Sequence, residues 1–175
     1  MSNFKEIKPE LFEQSPFKLI GKDWMLITAE KDGKVNTMTA SWGGFGVMWA
    51  KNVAFIVIRP QRYTKEFIDN ADTFSLTFLD NSHRSTLSYL GTKSGRDEDK
   101  IANSNLTVVH TDDVPYFEEA TTVILCKKLY GQVFKPECFI TQEANEKWYP
   151  DRDYHTLYIA EITKILVKNR DEASY

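Results

Sequence analysis

The chain has 175 residues, of which 42% are hydrophobic and 13% aromatic, and its formal net charge at pH 7 is −3. This composition excludes a disordered chain and fits a single domain over residues 1–175 with a sizeable core. A slightly acidic balance argues against nucleic-acid binding through bulk charge, and the apolar runs fall far short of the ~20 residues of a membrane span. We therefore expect neither nucleic acid nor membrane as a partner.

The N-terminal residues and the cysteines bear on the compartment. Residues 1–6 contain no apolar signal-peptide core. Cys126 and Cys138 lie 12 residues apart and form no CxxC motif. Both observations predict a cytoplasmic protein with two reduced thiols.

The first strands surround a hairpin. Residues 24–29 and 35–42 are strand-like, and Asp32-Gly33 between them is a strong hairpin signal. Three glycines within residues 43–46 then break the return strand.

The apolar run 53–58 predicts a buried strand, which Pro60 stops. A short helix follows over residues 64–70, with Thr64 near its N-cap. Period-two alternation over residues 72–79 predicts a half-buried strand.

The rest of the chain is also predicted to form short helices and strands. Ser82 is a candidate cap for a helix through Tyr89, which Gly91 would end. The remaining expected elements are helical turns within 97–102, strands over 106–110, 121–130 and 155–168, and an irregular or briefly helical stretch over 141–153. Short strands joined by hairpins and few helices favour an antiparallel barrel or sandwich over a doubly wound α/β sheet.

Polar side chains converge where the 53–58 strand meets the following helix. Arg59 and Arg62 lie beside Thr64, and a helix start offers free N–H groups and a favourable dipole. A phosphate site fits this pattern, although solvated arginines in a surface loop would give the same sequence.

Several other kinds of site have no signature here. The sequence contains no GxGxxG after its first strand, no P-loop, no HExxH, no zinc-type Cys/His spacing and no GxSxG elbow. We therefore expect no metal site. Its three histidines are dispersed, and His83 and His110 are interpreted as ordinary surface or packed residues.

Four stretches together resemble a known family. They read NTMTASW at 36–42, IRPQRYT at 58–64, LGTKSGRDEDK at 90–100 and DYHTLYIAEI at 153–162. In this order they are similar to the flavin reductase-like, flavoredoxin-type FMN-binding split-barrel proteins, over roughly residues 20–168. Ala160 is a mild departure, because the family often has Gly there.

The resemblance implies a mainly β fold, a six-stranded antiparallel Greek-key FMN-binding split barrel with a few short helices. It also implies a homodimer with one FMN per subunit at or near the interface, and hydride or electron transfer through the flavin. NADH or NADPH would be the electron donor, or a redox protein partner would exchange electrons instead.

The residues and the resemblance together assign roles. Arg62 and Thr64 are expected to bind the phosphate, with charge from Arg59 and a hydroxyl from Ser41. The segment from Thr37 to Ala40 would run along the isoalloxazine edge. The complete set of expected cofactor residues is Thr37, Met38, Thr39, Ala40, Ser41, Trp42, Arg59, Arg62, Tyr63, Thr64, Lys93, Ser94, Gly95, Lys100 and His155.

Within that set, Met38 would pack on the ring and Trp42 would border it, whereas His155 would approach the flavin or the dimer partner. Each also has a plain structural interpretation, as barrel strand, core or packed histidine. No side chain is expected to act as a catalytic acid or base, because the cofactor carries the redox step.

Three functions stay open at this stage. The leading one is an FMN-dependent NAD(P)H:flavin oxidoreductase that passes hydride to flavin and on to an acceptor. The second is a flavoredoxin-like FMN electron carrier that acts with a protein partner, and the third is a flavin-binding barrel without turnover.

Overall fold

The computed structural model describes residues 3–169. The strands, all antiparallel to their neighbours, are β1 (Phe4–Ile7), β2 (Met25–Lys31), β3 (Lys34–Ala40), β4 (Gly43–Met48), β5 (Lys51–Ile58), β6 (Thr73–Phe78), β7 (Val108–Thr111), β8 (Val114–Phe117), β9 (Thr122–Val133) and β10 (Thr156–Lys168). The α-helices are α1 (Pro16–Lys18), α2 (Tyr63–Asn70), α3 (Arg84–Thr92), α4 (Lys100–Asn103) and α5 (Gln142–Trp148). A π-helical turn (Leu19–Asp23) leads into β2.

Eight of the strands described form one sheet, in the order β3-β2-β6-β9-β10-β5-β4, with β1 paired to the far end of β10. The predicted fold class, mainly β with an antiparallel sheet and a few short helices, is confirmed. Six strands from β3 to β5 make the central run, and β4 and β1 add to its margins. β7 and β8 form a separate hairpin.

β4 is an element that the sequence did not predict. The three glycines at its start were interpreted only as a break after the hairpin, and β3 does end at Ala40. A Cβ on Gly43, which has φ +148°, would lie 2.4 Å from the carbonyl oxygen of Phe55. Glycine therefore allows β4 to approach β5 closely enough to pair with it.

The core anchors the elements that carry the polar residues. α2 begins one residue earlier than predicted and buries Phe67 and Ile68 against the sheet. The neighbouring strands contribute fully buried side chains such as Ile27 and Ile56. The start of α2, including Arg62, is therefore held in a fixed position at the end of β5.

The predicted limits of α3 were wrong at both ends. The helix begins at Arg84, after a 3-10 turn (Asn81–His83), and Asp80 caps that turn by accepting a hydrogen bond from the Ser82 backbone N–H. The helix also continues through Gly91 to Thr92. A Cβ on Gly91 would lie 3.1 Å from Cβ of Thr39, so this glycine serves the close packing of α3 on β3.

Two further features concern the described part of the chain. Between residues 3 and 169, no helix is long and apolar enough to cross a membrane. Cys126 is buried and Cys138 is exposed, and both thiols are free.

Candidate functional site

Two adjoining pockets lie at the C-terminal end of β3. The larger, the main cleft, has a volume of about 430 Å³, and the smaller, the basic pocket, has about 200 Å³. The main cleft is lined by Met38, Thr39, Ala40, Ser41, Trp42, Val57, Arg59, Arg62, Trp148 and His155. The basic pocket is lined by Met38, Gln61, Arg62, Tyr63, Thr64, Thr92, Lys93, Ser94 and Lys100. Met38 and Arg62 belong to both, so the two pockets are continuous.

β3 supplies the shared border. Residues alternate sides along a strand, and Met38 faces the pockets while Thr37 faces the interior. The Thr37 hydroxyl lies 2.8 Å from the Thr28 hydroxyl and donates to the Ile27 carbonyl over 3.1 Å. Of the predicted set, Thr37 is therefore a residue that the structure does not bring to either pocket.

Arg62 has an incompletely bonded guanidinium. Its Nη1 donates to the Gly91 carbonyl over 2.8 Å, whereas Nη2 is buried and has no hydrogen-bond partner among residues 3–169. Burial also lowers the pKa of Arg62. A buried, unpaired N–H of a charged group costs free energy, so its presence points to a ligand that accepts from it.

Lys100 places a buried cation beside Arg62. Only 3% of the residue is exposed, and its Nζ donates to the carbonyls of Leu90 (2.9 Å) and Lys93 (3.0 Å). Desolvation, followed by the Arg62 charge, lowers the pKa of Lys100 to about 8. Within the described residues neither cation forms an ion pair. A buried lysine and a half-buried arginine, neither paired with a carboxylate of residues 3–169, form a site for an anion.

Hydroxyl groups complete the basic pocket. The buried Thr64 hydroxyl accepts a hydrogen bond from the side-chain amide of Asn36 over 2.9 Å, which leaves its own proton free to be donated. No side chain caps the N-terminus of α2, where Thr64 lies. Lys93 approaches Glu98 at 3.9 Å near the pocket mouth.

Gly95 lies behind this pocket. A Cβ there would stand 2.3 Å from Oδ1 of Asn36 and 3.2 Å from the Tyr63 ring. The structure thus places the predicted Gly95 against the residue that orients Thr64, and outside both pockets.

Arg59 is engaged with the protein itself. Its Nη1 forms an ion pair with Asp153 at 2.6 Å, and its Nη2 donates to the Trp148 carbonyl over 2.9 Å. Gln61 donates to the same Asp153 oxygen over 2.8 Å. Arg59 was expected to add charge for a phosphate, but its hydrogen bonds instead hold residues 148–153 beside the main cleft.

Aromatic rings form one side of the main cleft. Trp42 packs edge-on against Trp148, with ring centroids 4.9 Å apart, and lies 5.2 Å from the His155 ring. His155 is buried and bonded through Nδ1 to the Tyr149 hydroxyl at 2.7 Å. Desolvation, followed by the Arg59 charge, lowers the pKa of His155 to about 4. This imidazole is therefore neutral at physiological pH.

Sequence reasoning missed Trp148, Asp153 and Asn36. Trp148 ends α5, inside the stretch that was expected to be irregular or briefly helical. Trp148 and Tyr149, two aromatic residues in a polar segment, were the available signal. Asp153 and Asn36 gave none, because their partners lie 94 and 28 residues away along the chain.

The arrangement fits a phosphorylated molecule with a flat ring. Arg62, Lys100 and Thr64 offer donors to a phosphate. From there the main cleft runs along Met38 and the end of β3 to the aromatic side. Polarisable Met38 and main-chain groups of the β3 end suit a planar heterocycle.

The sequence comparison gives the family. Residues 18–175 match the family model described as the flavin reductase like domain. The chain belongs to this family. The predicted family resemblance is thereby confirmed. Among curated proteins, no sequence matches this chain.

Solved structures show the same fold as this flavin reductase-like chain. An FMN-binding domain of flavin reductases-like enzyme from Shewanella baltica OS155 superposes with a TM-score of 0.70 at 17% identity, covering 99% of this chain and 83% of its own. Flavoredoxin of Desulfovibrio vulgaris (Miyazaki F) superposes with a TM-score of 0.66 at 22% identity, covering 95% of this chain and 81% of its own. The styrene monooxygenase flavin reductase from Pseudomonas putida S12 superposes with a TM-score of 0.61 at 15% identity, covering 86% of this chain and 80% of its own.

Proposed function

We propose that this protein is an FMN-dependent NAD(P)H:flavin oxidoreductase, in which FMN binds across the basic pocket and the main cleft. The observation that carries the proposal is the pair formed by buried Lys100 and half-buried Arg62, whose buried Nη2 has no hydrogen-bond partner within residues 3–169. A phosphate there would accept from Nη2 and balance both charges. The flavin and flavoredoxin names among the similar structures support a flavin as the ligand.

Each part of the chain then has a defined task. Arg62, Lys100 and Thr64 hold the phosphate, and the backbone of residues 38–41 borders the ring. Met38 packs against one part of the ring, while Trp42 and Trp148 limit the access of water at the cleft mouth. When bound, FMN supplies the redox chemistry as acceptor of hydride from the nicotinamide nucleotide. His155 is neutral and hydrogen-bonded to Tyr149, and we assign it no role as a proton donor or acceptor in the reaction.

Paired titrations of FMN and riboflavin test the phosphate assignment, because riboflavin lacks only the phosphate. Arg62→Ala should weaken FMN binding by about 30-fold or more and riboflavin binding less than about threefold. Arg84→Ala is the matched control, since this exposed arginine donates to the Lys22 carbonyl and stacks over Trp24, and neither residue lines the two pockets. Equal losses for both ligands, or none, would remove Arg62 from the phosphate site.

Anaerobic addition of NADH and then NADPH to the FMN-loaded protein tests the reaction. Bleaching of the flavin absorbance by one nucleotide supports the reductase and identifies its donor. Stable oxidised flavin with both nucleotides, combined with reduction by a redox protein, would favour the electron carrier instead. Flavin that binds but is reduced by neither would leave a binding protein.

A homodimer is part of the same proposal. Large apolar side chains are exposed at the β4–β5 turn and along the end of β9, among them Val47, Trp49 and Val133. Exposed apolar groups of this kind suit contact with a second copy. Light scattering on the purified protein distinguishes the two states, because the dimer has twice the monomer mass.

A further inference from the structure

Residues 148–153, which we call the Trp148 segment, lie beside the main cleft, and Trp148 lines it. α5, which Trp148 ends, contributes no buried side chain to the protein core. Trp148 itself is 44% exposed and faces the cleft beside Trp42. The ring is placed by its edge contact with Trp42 and by its neighbour Tyr149, which is buried.

Polar contacts centred on Arg59 hold the backbone of the Trp148 segment. One guanidinium joins the Asp153 carboxylate, through Nη1, and the Trp148 carbonyl, through Nη2. Arg59 also stacks over Tyr149 at 5.1 Å from the ring centroid. Asp153 receives a second hydrogen bond, from Gln61. The contacts link the end of β5 to both ends of the Trp148 segment.

The exposure of the residues that line the main cleft indicates which ligand Trp148 can contact. Met38, at 6% exposure, lies deep in the cleft, whereas Trp42 and Trp148 stand half-exposed at its mouth. A ring that enters after the cofactor must pass these two indoles. Aromatic side chains recognise planar rings through edge and face contacts.

We propose that Trp148 binds the nicotinamide ring of the donor, and that Arg59 and Asp153 are positioning residues that hold the backbone of the Trp148 segment, and with it the indole, at the cleft mouth. The inference rests on the proposed reductase function and deepens it. Trp148 contributes aromatic surface to the incoming nicotinamide and contributes nothing to the phosphate pocket. Its loss is therefore expected to affect donor binding and to spare FMN binding.

The experiment measures KM and kcat for NADH and NADPH, together with the FMN dissociation constant, in single and double variants. Trp148→Ala should raise the donor KM about tenfold with kcat changed less than about threefold, and Trp148→Phe should retain most of the affinity. Asp153→Asn should raise KM about fivefold in the parent and cause no further rise in Trp148→Ala, because it acts through that indole. FMN affinity should stay within about twofold throughout.

Matched controls are available on the same surfaces. Asp151→Asn changes an exposed carboxylate of the Trp148 segment, and Ile140→Ala removes an exposed apolar side chain elsewhere. Both should leave KM unchanged. An unchanged donor KM in Trp148→Ala, or an undiminished effect of Asp153→Asn in that background, would overturn the inference. Failure of the proposed function looks different, since the parent protein would then oxidise neither nucleotide.

Discussion

The side-chain amide of Asn36 donates a hydrogen bond to the Thr64 hydroxyl over 2.9 Å, and both side chains are buried. This contact joins the edge strand β3 to the start of α2, the two elements that border the basic pocket. Because the hydroxyl accepts from Asn36, its proton is available to a ligand in that pocket. The orientation of Thr64 is thus set by a residue outside both pockets.

Asn36→Asp should weaken FMN binding by about tenfold or more. The new carboxylate would accept the Thr64 proton and place a negative charge near the phosphate site. Flavin fluorescence titration measures the change, and Asn81→Asp, in an exposed turn, is the control. An unchanged affinity would show that Thr64 does not donate to the phosphate.

Gly95→Ala should reduce both stability and FMN affinity. The added Cβ would lie 2.3 Å from Oδ1 of the buried Asn36 side chain, which cannot move without losing its bond to Thr64. We expect a loss of about 1–3 kcal/mol in the free energy of unfolding, typical of overpacking. Urea denaturation measures it. Gly21→Ala is the matched control, because nothing lies within 4 Å of a Cβ at that position.

FMN affinity should fall as the pH rises from 7.5 to 9. The pKa of Lys100 is about 8 in the protein without ligand, so the fraction of charged Lys100 declines over this interval. The FMN phosphate is already fully ionised above pH ~7.5, because its second pKa is about 6. Titration at several pH values should show this trend, and Lys100→Met should bind more weakly with little pH dependence. A parallel trend in both proteins would exclude Lys100 as its source.

The same lysine predicts the opposite trend for stability. Its pKa is lowered from 10.5 in the unfolded chain, so the unfolded state binds more protons between pH 8 and 10.5. The burial penalty is full below pH ~8 and is relieved as the pH rises toward 10.5. Without FMN, the free energy of unfolding should therefore rise over that interval relative to Lys100→Met. Denaturation series on both proteins check this.

His155 should make the protein sensitive to mild acid. The pKa of His155 is lowered from 6.5 to about 4, so between these two pH values the unfolded state binds more protons than the folded state. The free energy of unfolding therefore decreases as the pH is lowered through this range. Between pH 7 and 5 the loss should be about 2 kcal/mol, and His155→Asn should largely remove it. His110→Asn, at an exposed position paired with Glu30, is the control. Equal acid sensitivity in the parent and His155→Asn would contradict the assignment.

The sequence predicted those elements whose signal is local. The hairpin of β2 and β3, the apolar strand β5, the helix after Pro60 and the long strand β10 all carry their own periodicity or turn residues. β4 was missed, because glycine spacing that permits pairing with β5 looks the same as a break.

The site was harder to predict because its contacts are long-range. Arg59 and Arg62 are equivalent in sequence, three residues apart beside one helix. They differ only in the folded protein, where Arg59 forms an ion pair with Asp153 and Nη2 of Arg62 has no hydrogen-bond partner among the described residues. The roles of Trp148 and Asn36 likewise depend on residues that the fold brings near, and no local pattern indicates them.

The register of β10 has a consequence for how the protein forms during synthesis. β10 bonds to β9 and β5 on its two sides and to β1 at its far end, and without it the sheet consists of separate pieces. The ribosome makes β10 after every other strand of that sheet, at about 5–20 residues per second. A nascent chain can therefore complete its hairpins early, but it cannot join them until residues 156–168 have emerged. Flavin loading, which needs elements from both pieces, would therefore follow the synthesis of residues 156–168.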